Sequence, residues 1–383
     1  MKTQTDYETL KTNITEKAKT AADYLVAAND IRLLPGNAYN AWSNEKTCLL
    51  VAGKPMNATP LAHEQLAEIA GIPTRYYEKL ERENPQLLCE CVANGMVKNE
   101  RTLMVRTHAA TNGFLQQDVT AILSDCYRRL DNIELLPAIE AAQLPENIKF
   151  VSCGTTDSRT YIKMVFPSIE QEVRLVGDVV QLGLSISNSE VGRGALQVET
   201  LLYELSCTNG AVFARSGLST RRTHFGTRKG REDVRLCELP PIIPFDLTRD
   251  ELTELSAAGA LQSDAQFWHD NVTARINVIA QQSTLAQIVA KARDAQAARV
   301  DNNPIAAWKA FGELFGMRAS EVDKARELFI AGGNYTLWGM SRAITEMCQN
   351  VESYERATEL ERVGADCIQM SRAMYNTIIN ATI

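Results

Sequence analysis

Apolar positions recur with helical spacing at the N-terminus. Leu10, Ile14, Ala18, Ala21 and Leu25 share one stripe of residues 6–28, and Pro35-Gly36 closes the segment. A second helical pair is predicted over 61–80, LAHEQLAEIAGIPTRYYEKL, and fits a helix-turn-helix template. Ala67 and Gly71 take its two small positions, and Leu66, Ala70, Ile72, Tyr77 and Leu80 its apolar ones. The bulky rings and acidic end of TRYYEKLERENPQ suit a structural hairpin better than a helix read against phosphates. TLMVRT (102–107) predicts a short strand running to an Asn112-Gly113 turn, followed by a helix through QQDVTAILSDCYRRL.

From about residue 149 the period changes to two. Ile162, Met164 and Phe166 alternate with Tyr161, Lys163 and Val165. In VGDVVQLGLSISNS, Val180, Leu182, Leu184 and Ile186 take one face, and Gln181, Gly183, Ser185 and Ser187 the other. That alternation predicts an antiparallel sheet with one packed face and one open, uncharged polar face. LQVETLLYELSCTNGAVFAR reads as a further long strand, turning at Asn209-Gly210 into a return strand. Pro240-Pro241 and Pro244 mark a linker. Beyond it the pattern is helical, with breaks at Asn302-Asn303-Pro304 and Gly332-Gly333-Asn334. Trp308, Phe311 and Phe315, then Leu337, Met340, Ile344 and Met347, are helix-spaced stripes read as core or subunit contacts. NSEVGRGA (188–195) matches no nucleotide phosphate loop and is read as a sharp connection between strands. Helices, then strands, then helices define an α+β fold: N-terminal helical segments, a central mainly antiparallel sheet and a C-terminal helical region. The expected divisions are 1–100, with the helix-turn-helix-like hairpin; 101–240, the sheet core with a basic loop; and 241–383, helical.

The chain's 383 residues carry a net charge of −7, which by itself argues against a protein that coats nucleic acid. The distribution changes that picture. Between Arg215 and Arg235 stand seven basic residues and two acids, net +5, so the rest of the chain carries −12. The core of this island, TRRTHFGTRKGR (220–231), mixes Arg221, Arg222, Arg228, Lys229 and Arg231 with His224, Phe225 and two glycines. Guanidinium and ammonium groups neutralise phosphates, and a ring stacks on an unpaired base. Arg215, Arg221, Arg222, His224, Phe225, Arg228, Lys229 and Arg231 are therefore the candidate nucleic-acid-binding residues; the alternative is a solvated loop pairing with the acidic body or a neighbouring subunit.

No catalytic motif, metal-ligand spacing or cofactor loop stands out. The four histidines form no HExxH or HxxxH pair, GxSxG is absent, and Cys89-Glu90-Cys91 is not a zinc spacing. The expectation is a non-enzyme without metal or cofactor. Nine scattered cysteines, an odd number, read as reduced thiols of a cytoplasmic protein. No run of about 18 apolar residues predicts a membrane span, and the polar start MKTQTDYETLKTNITEKAKT lacks the apolar core of a signal peptide.

Four stretches carry a resemblance: LSDCYRRLDN (123–132), GLSISNSEVGRGAL (183–196), LYELSCTNGAV (202–212) and YTLWGMSRAITE (335–346). Taken in order with the 61–80 hairpin, they make the chain resemble a phage/plasmid-like protein family catalogued as a domain of unknown function. Proteins of that kind are carried by phages, prophages and the early-entering regions of conjugative plasmids. The resemblance implies single-stranded-DNA handling, or protection against host defences. The expected function is accordingly a non-catalytic DNA-binding protein of a mobile element, binding or annealing single strands in recombination as a homo-oligomer. The alternative is a protein-interaction module whose acidic surface inhibits a host defence complex.

Overall fold

The computed structural model describes residues 6–35, 47–110, 117–125, 127, 129–173, 179–205, 209–213, 219–222, 262–300 and 303–381. The fold is α+β, with two sheets between helical segments. In chain order the first elements are α1 (Tyr7–Thr20), β1 (Ala22–Ala27), β2 (Ile31–Pro35), β3 (Thr47–Val51) and β4 (Lys54–Ala58). Helices α2 (Pro60–Ala70), α3 (Thr74–Glu83) and α4 (Pro85–Val97) follow, then β5 (Thr102–Ala109), β6 (Gln117–Ser124) and α5 (Asn132–Glu140). The second sheet uses β7 (Lys149–Thr155), β8 (Thr160–Glu172), β9 (Val179–Asn188), β10 (Leu196–Glu204), β11 (Asn209–Phe213) and β12 (Ser219–Arg222). The remaining helices are α6 (Gln262–Ile279), α7 (Gln282–Ala297), α8 (Pro304–Phe315), α9 (Ala319–Gly332), α10 (Leu337–Cys348), α11 (Tyr354–Ile368) and α12 (Arg372–Ile379).

The first hundred residues contribute strands as well as helices. The first sheet runs β1-β5-β6-β4-β3-β2, antiparallel except for the β4–β6 pair. The helix predicted over 6–28 ends at Thr20, because Ala22–Ala27 pairs with β5 in the register Leu25↔Met104. The helix predicted over 116–130 is instead strand β6, between β5 and β4. Val119, Ala121, Ile122 and Leu123 are all buried, and a strand covered on both faces loses the alternation that distinguishes it from a helix.

The hairpin over 61–80 forms as α2 and α3. Thr59 caps α2 by accepting from the Ala62 amide, and Gly71 ends it in the left-handed region at φ +73°. Helix α4 crosses α2 so closely that a Cβ at Gly95 would lie 2.4 Å from the Ala70 carbonyl oxygen. The hairpin ring Tyr77 is buried, with its hydroxyl 2.7 Å from His63 Nδ1.

The second sheet runs β11-β10-β9-β8-β7, antiparallel throughout, with β12 pairing the other end of β10's β11 edge. Its apolar face joins one large core. Ile162, Met164, Leu182, Leu184, Ile186 and Val198 cluster there with Leu10 and Ile14 of α1, Leu135 and Ile139 of α5, and the predicted stripe residues Trp308, Phe311, Met340 and Ile344.

The opposite face is polar, as its alternation predicts, but it is not open. Gln181, Ser185 and Ser187 are buried. Directly paired residues form a row Ser152–Lys163–Ser185–Glu199 across β7 to β10, and α11 lies over it. Glu361 takes the Lys163 ammonium, and Arg362 places Nε and Nη2 on the two Glu199 oxygens at 2.9 and 2.7 Å. The Tyr354 hydroxyl meets Ser152, and its ring lies 5.2 Å from Lys163 Nζ. Tyr354, Thr358, Glu361, Arg362 and Ala365 recur at i, i+4, i+7, i+8 and i+11, one helical face. Small serines on the sheet leave room for long charged side chains from the helix. Pairing explains why a face of this composition is buried, since an unpaired charge there would cost far more than a paired one.

Lys163→Met should therefore lower stability by about 3 kcal/mol, because it leaves Glu361, only 14% exposed, without its ammonium partner. Adding Glu361→Leu in the same chain should restore most of the loss. Urea denaturation of the single and double variants checks this.

Candidate nucleic-acid interface

The polar face leads to a cleft where four parts of the chain meet. Its first wall is the β7–β8 turn. Thr156 organises that turn: its hydroxyl accepts from the Ser158 and Arg159 amides at 3.3 and 3.0 Å, and its own amide donates to the Arg159 carbonyl at 2.7 Å. The second wall is the β9–β10 connection 189–195, the third the start of α2, and the fourth α11. Together they enclose about 440 Å³, lined by Leu61, Glu64, Arg159, Arg193, Gln197 and Arg362 among others.

The 189–195 loop is held from both sides. Gly192 takes φ +77°, and the Arg193 amide donates to Ser189 Oγ at 3.0 Å. A Cβ at Gly192 would lie 2.5 Å from Leu123 Cδ2, so the loop backbone abuts β6. The Gln65 side chain, buried on α2, donates to the Val191 carbonyl and accepts from the Ile122 amide, both at 2.8 Å. Val191 itself packs with Leu61, Met104, Ala121, Leu123 and Tyr127. Arg193 then reaches Glu64 across the cleft mouth.

Behind the loop lies a buried charge network. Arg106 of β5 donates through Nε to Asp23 of β1 at 2.9 Å, through Nη2 to Asp131 at 2.7 Å and through Nη1 to the Glu190 carbonyl at 2.7 Å. Arg129 closes the square, with Nε 3.0 Å from Asp23 Oδ2 and Nη2 3.1 Å from Asp131 Oδ2. Asn132 donates its amide to the Glu190 carboxyl at 2.6 Å and its side chain to Thr160 at 3.0 Å. Asn188 donates to the Leu130 carbonyl and to Asn132 Oδ1. Burial works against ionisation of Asp131, but the guanidiniums of Arg106 and Arg129 outweigh it and hold the carboxyl well below its usual range. Burial raises the Glu134 carboxyl to about 7, and the neighbouring Asp131 charge adds to the rise. Burial raises Glu190 as well, again with help from Asp131. A second cavity of about 270 Å³ adjoins this network, and Lys17 and His108 also line it. Burial, and then the Lys17 charge, lower the His108 pKa.

Two of the words behind the resemblance meet in this network. Residues 123–132 supply Tyr127, Arg129, Asp131 and Asn132, and 183–196 supply Asn188, Ser189 and Glu190; the Tyr127 hydroxyl donates to the Ser189 carbonyl at 3.1 Å. The other two words also touch, through Arg342 and the buried Glu204 at 2.8 Å.

Of the residues nominated for nucleic acid, Arg221 and Arg222 lie on β12. Their backbones pair Arg221↔Gln197 and Arg222↔Leu196. The row Gly154–Tyr161–Ser187–Gln197 thus continues to Arg221, and Tyr161 and Gln197 both line the cleft. Arg215, His224, Phe225, Arg228, Lys229 and Arg231 lie outside the described residues, as do the Asn112-Gly113 turn and the Pro240–Pro244 linker. Sequence inspection missed Arg159, Arg193 and Arg362, which stand singly in mixed surroundings and share no local pattern.

Among the described residues, no group of three or more His, Cys, Asp or Glu side chains is placed to hold a metal. Among the described residues, Cys48, Cys89, Cys91, Cys153, Cys348 and Cys367 form no disulfide, and no described helix is long and apolar enough to cross a membrane. No family model, curated protein or solved structure matches the chain.

Because the native state holds the Glu134 proton above the ordinary carboxyl value of 4.5, folding stability should fall as pH rises from about 4.5 to about 7 on this group's account. Glu134→Gln, which keeps an acceptor for the Asp131 amide, should remove that fall and leave the variant relatively more stable at pH 8 than at pH 4.5. Denaturant midpoints of both proteins across this range measure the difference.

Proposed function

We propose that this protein binds single-stranded DNA without catalysis, on behalf of a phage- or plasmid-type element in the host cytoplasm. The observation that carries the reading is the register of β12. This edge strand pairs Arg221 and Arg222 with Gln197 and Leu196 of β10, and Gln197 lines a cleft together with Arg159, Arg193 and Arg362. Two residues of the chain's basic segment, Arg221 and Arg222, therefore stand on a strand paired beside a cleft that carries three further guanidiniums.

The coverage of the polar sheet face by α11 alters how a strand is held. That face is not the groove floor, because its lysine and glutamate are already paired with helix residues. The DNA backbone instead follows the sheet edge, with phosphates on Arg221, Arg222, Arg228, Lys229 and Arg231 and a base against His224 or Phe225. Such a mode grips one strand by its backbone and leaves base edges free to pair, as annealing requires. Homo-oligomers would extend the path from subunit to subunit.

Replacing Arg221, Arg222, Arg228, Lys229 and Arg231 together by serine should abolish oligonucleotide binding at low salt and flatten its salt dependence. For single strands the logarithmic slope falls by roughly 0.7 for each phosphate no longer neutralised. Salt-titrated fluorescence anisotropy on single- and double-stranded oligonucleotides tests it. Equal binding by the variant overturns the proposal. A nuclease-resistant, stoichiometric host protein partner, without DNA binding, favours the defence-inhibitor reading instead.

A further inference from the structure

The cleft has two walls of opposite character. On the sheet wall, guanidiniums converge on neutral oxygens. Arg159 donates through Nε and Nη2 to the Arg193 carbonyl at 3.3 and 3.1 Å, and through Nη1 to Gln197 Oε1 at 3.4 Å. The same amide oxygen receives Arg362 Nη2 at 2.7 Å and Ser187 Oγ at 3.3 Å. Arg362 is neutralised by Glu199 and Arg193 by Glu64. Arg159 is different: among the described residues, each oxygen that accepts from its guanidinium is uncharged. Two cations thus meet on an amide oxygen that offers only a partial negative charge, an arrangement that a phosphate oxygen improves through bidentate, charge-assisted bonds.

The N-terminal part of the α11 wall is acidic, whereas Arg362 further along that helix joins the guanidiniums at Gln197. Glu355 and Glu359 stand one turn apart on α11, with Asp157 at the tip of the β7–β8 turn. Glu355 accepts from Ser158 and Thr156, and Glu359 from Arg356 at 2.8 Å, so each carboxylate keeps acceptor capacity for further N–H donors. A simple anion suits only the first wall, and a simple cation only the second. The volume of about 440 Å³ falls within the roughly 300–1,000 Å³ of small-molecule sites.

We propose that this cleft binds a nucleotide, with its phosphate on Arg159 and the N–H groups of its base toward Glu355 and Glu359. The phosphate takes over the long Arg159–Gln197 bond and gives Arg159 a charged acceptor, where its acceptors among the described residues are neutral. The nucleotide is either free or the phosphorylated end of a strand, since both present the same chemistry. The site stands apart from strand binding by the basic segment, and each is testable without the other.

Gly194 provides a second handle on the site. A Cβ there would lie 1.4 Å from Arg159 Nη2, so Gly194→Ala must move the guanidinium without changing its charge. The experiment is isothermal titration of the full chain with nucleoside 5′-monophosphates, the matching nucleosides, inorganic phosphate, and short oligonucleotides with and without a 5′-phosphate. At least one monophosphate should bind roughly tenfold or more tightly than its nucleoside and than phosphate alone, and Arg159→Met and Gly194→Ala should each lose that advantage. If only the 5′-phosphorylated oligonucleotide shows the Arg159-dependent advantage, the ligand is a strand end. The proposal is overturned if no phosphorylated probe binds better than its unphosphorylated counterpart, if inorganic phosphate binds as well as every nucleotide, or if both variants bind like the parent. Thermal melts establish that the variants compared are folded; if Arg159→Met is not, Gly194→Ala decides. The chain lacking the five basic-segment charges should still bind the nucleotide, which separates failure of this site from failure of strand binding.

Discussion

Arg106 must be paired because it is buried, and its partners come from distant parts of the chain. Asp23 lies on the first strand, Asp131 precedes α5, and the Glu190 carbonyl belongs to the loop between β9 and β10. A guanidinium removed from water without carboxylates is very costly, so these segments fold around it together or not at all. Arg129 doubles the constraint by bridging the same two aspartates. The result joins the first sheet to the second and holds the 189–195 loop against α2 and β6. The arginine wall of the cleft is a consequence of that placement, since Arg193 belongs to the fastened loop and Arg159 lies against Gly194.

The polar layer under α11 obeys the same rule on a larger surface. Lys163 and Glu199 lie two strands apart in one cross-strand row, and consecutive residues of α11 supply the acid for one and the base for the other. A slip of one residue in β8 would bring Lys163 into the apolar core and Met164 onto the charged helix. The charge pattern therefore specifies register as well as covering the face. The strand binding proposed for this protein then falls to the sheet edge, where β12 pairs with β10.

The helical hairpin at 61–80, the strands from 149 onward and the aromatic stripes of the C-terminal helices were legible in the sequence, although Asn209 and Gly210, predicted as a turn, instead pair with Glu204 and Tyr203 inside β11. Each rests on local periodicity, strengthened by caps such as Thr59 and Gly71. Strand β1 and strand β6 were not legible. The first is a short segment whose apolar residues also satisfy a helical stripe, and the second is buried on both faces. The candidate site was visible only in part: the basic island is a local run of charge, whereas Arg159, Arg193 and Arg362 are spread over more than two hundred residues of chain.

By itself the sequence determined which residues of the second sheet alternate, where the 61–80 hairpin and the C-terminal helical stripes lie, and that positive charge is concentrated between Arg215 and Arg235, since all three depend on near neighbours. The tertiary structure decided what those patterns face. A polar strand face has the same period whether water or a charged helix covers it, and only the packing of α11 shows that the cover is a helix. Likewise, an isolated arginine has no partner in sequence. Its role is set by the carboxylates and carbonyls that long-range contacts bring within hydrogen-bonding distance, and among the described residues those contacts give Arg106 carboxylate acceptors and Arg159 neutral ones.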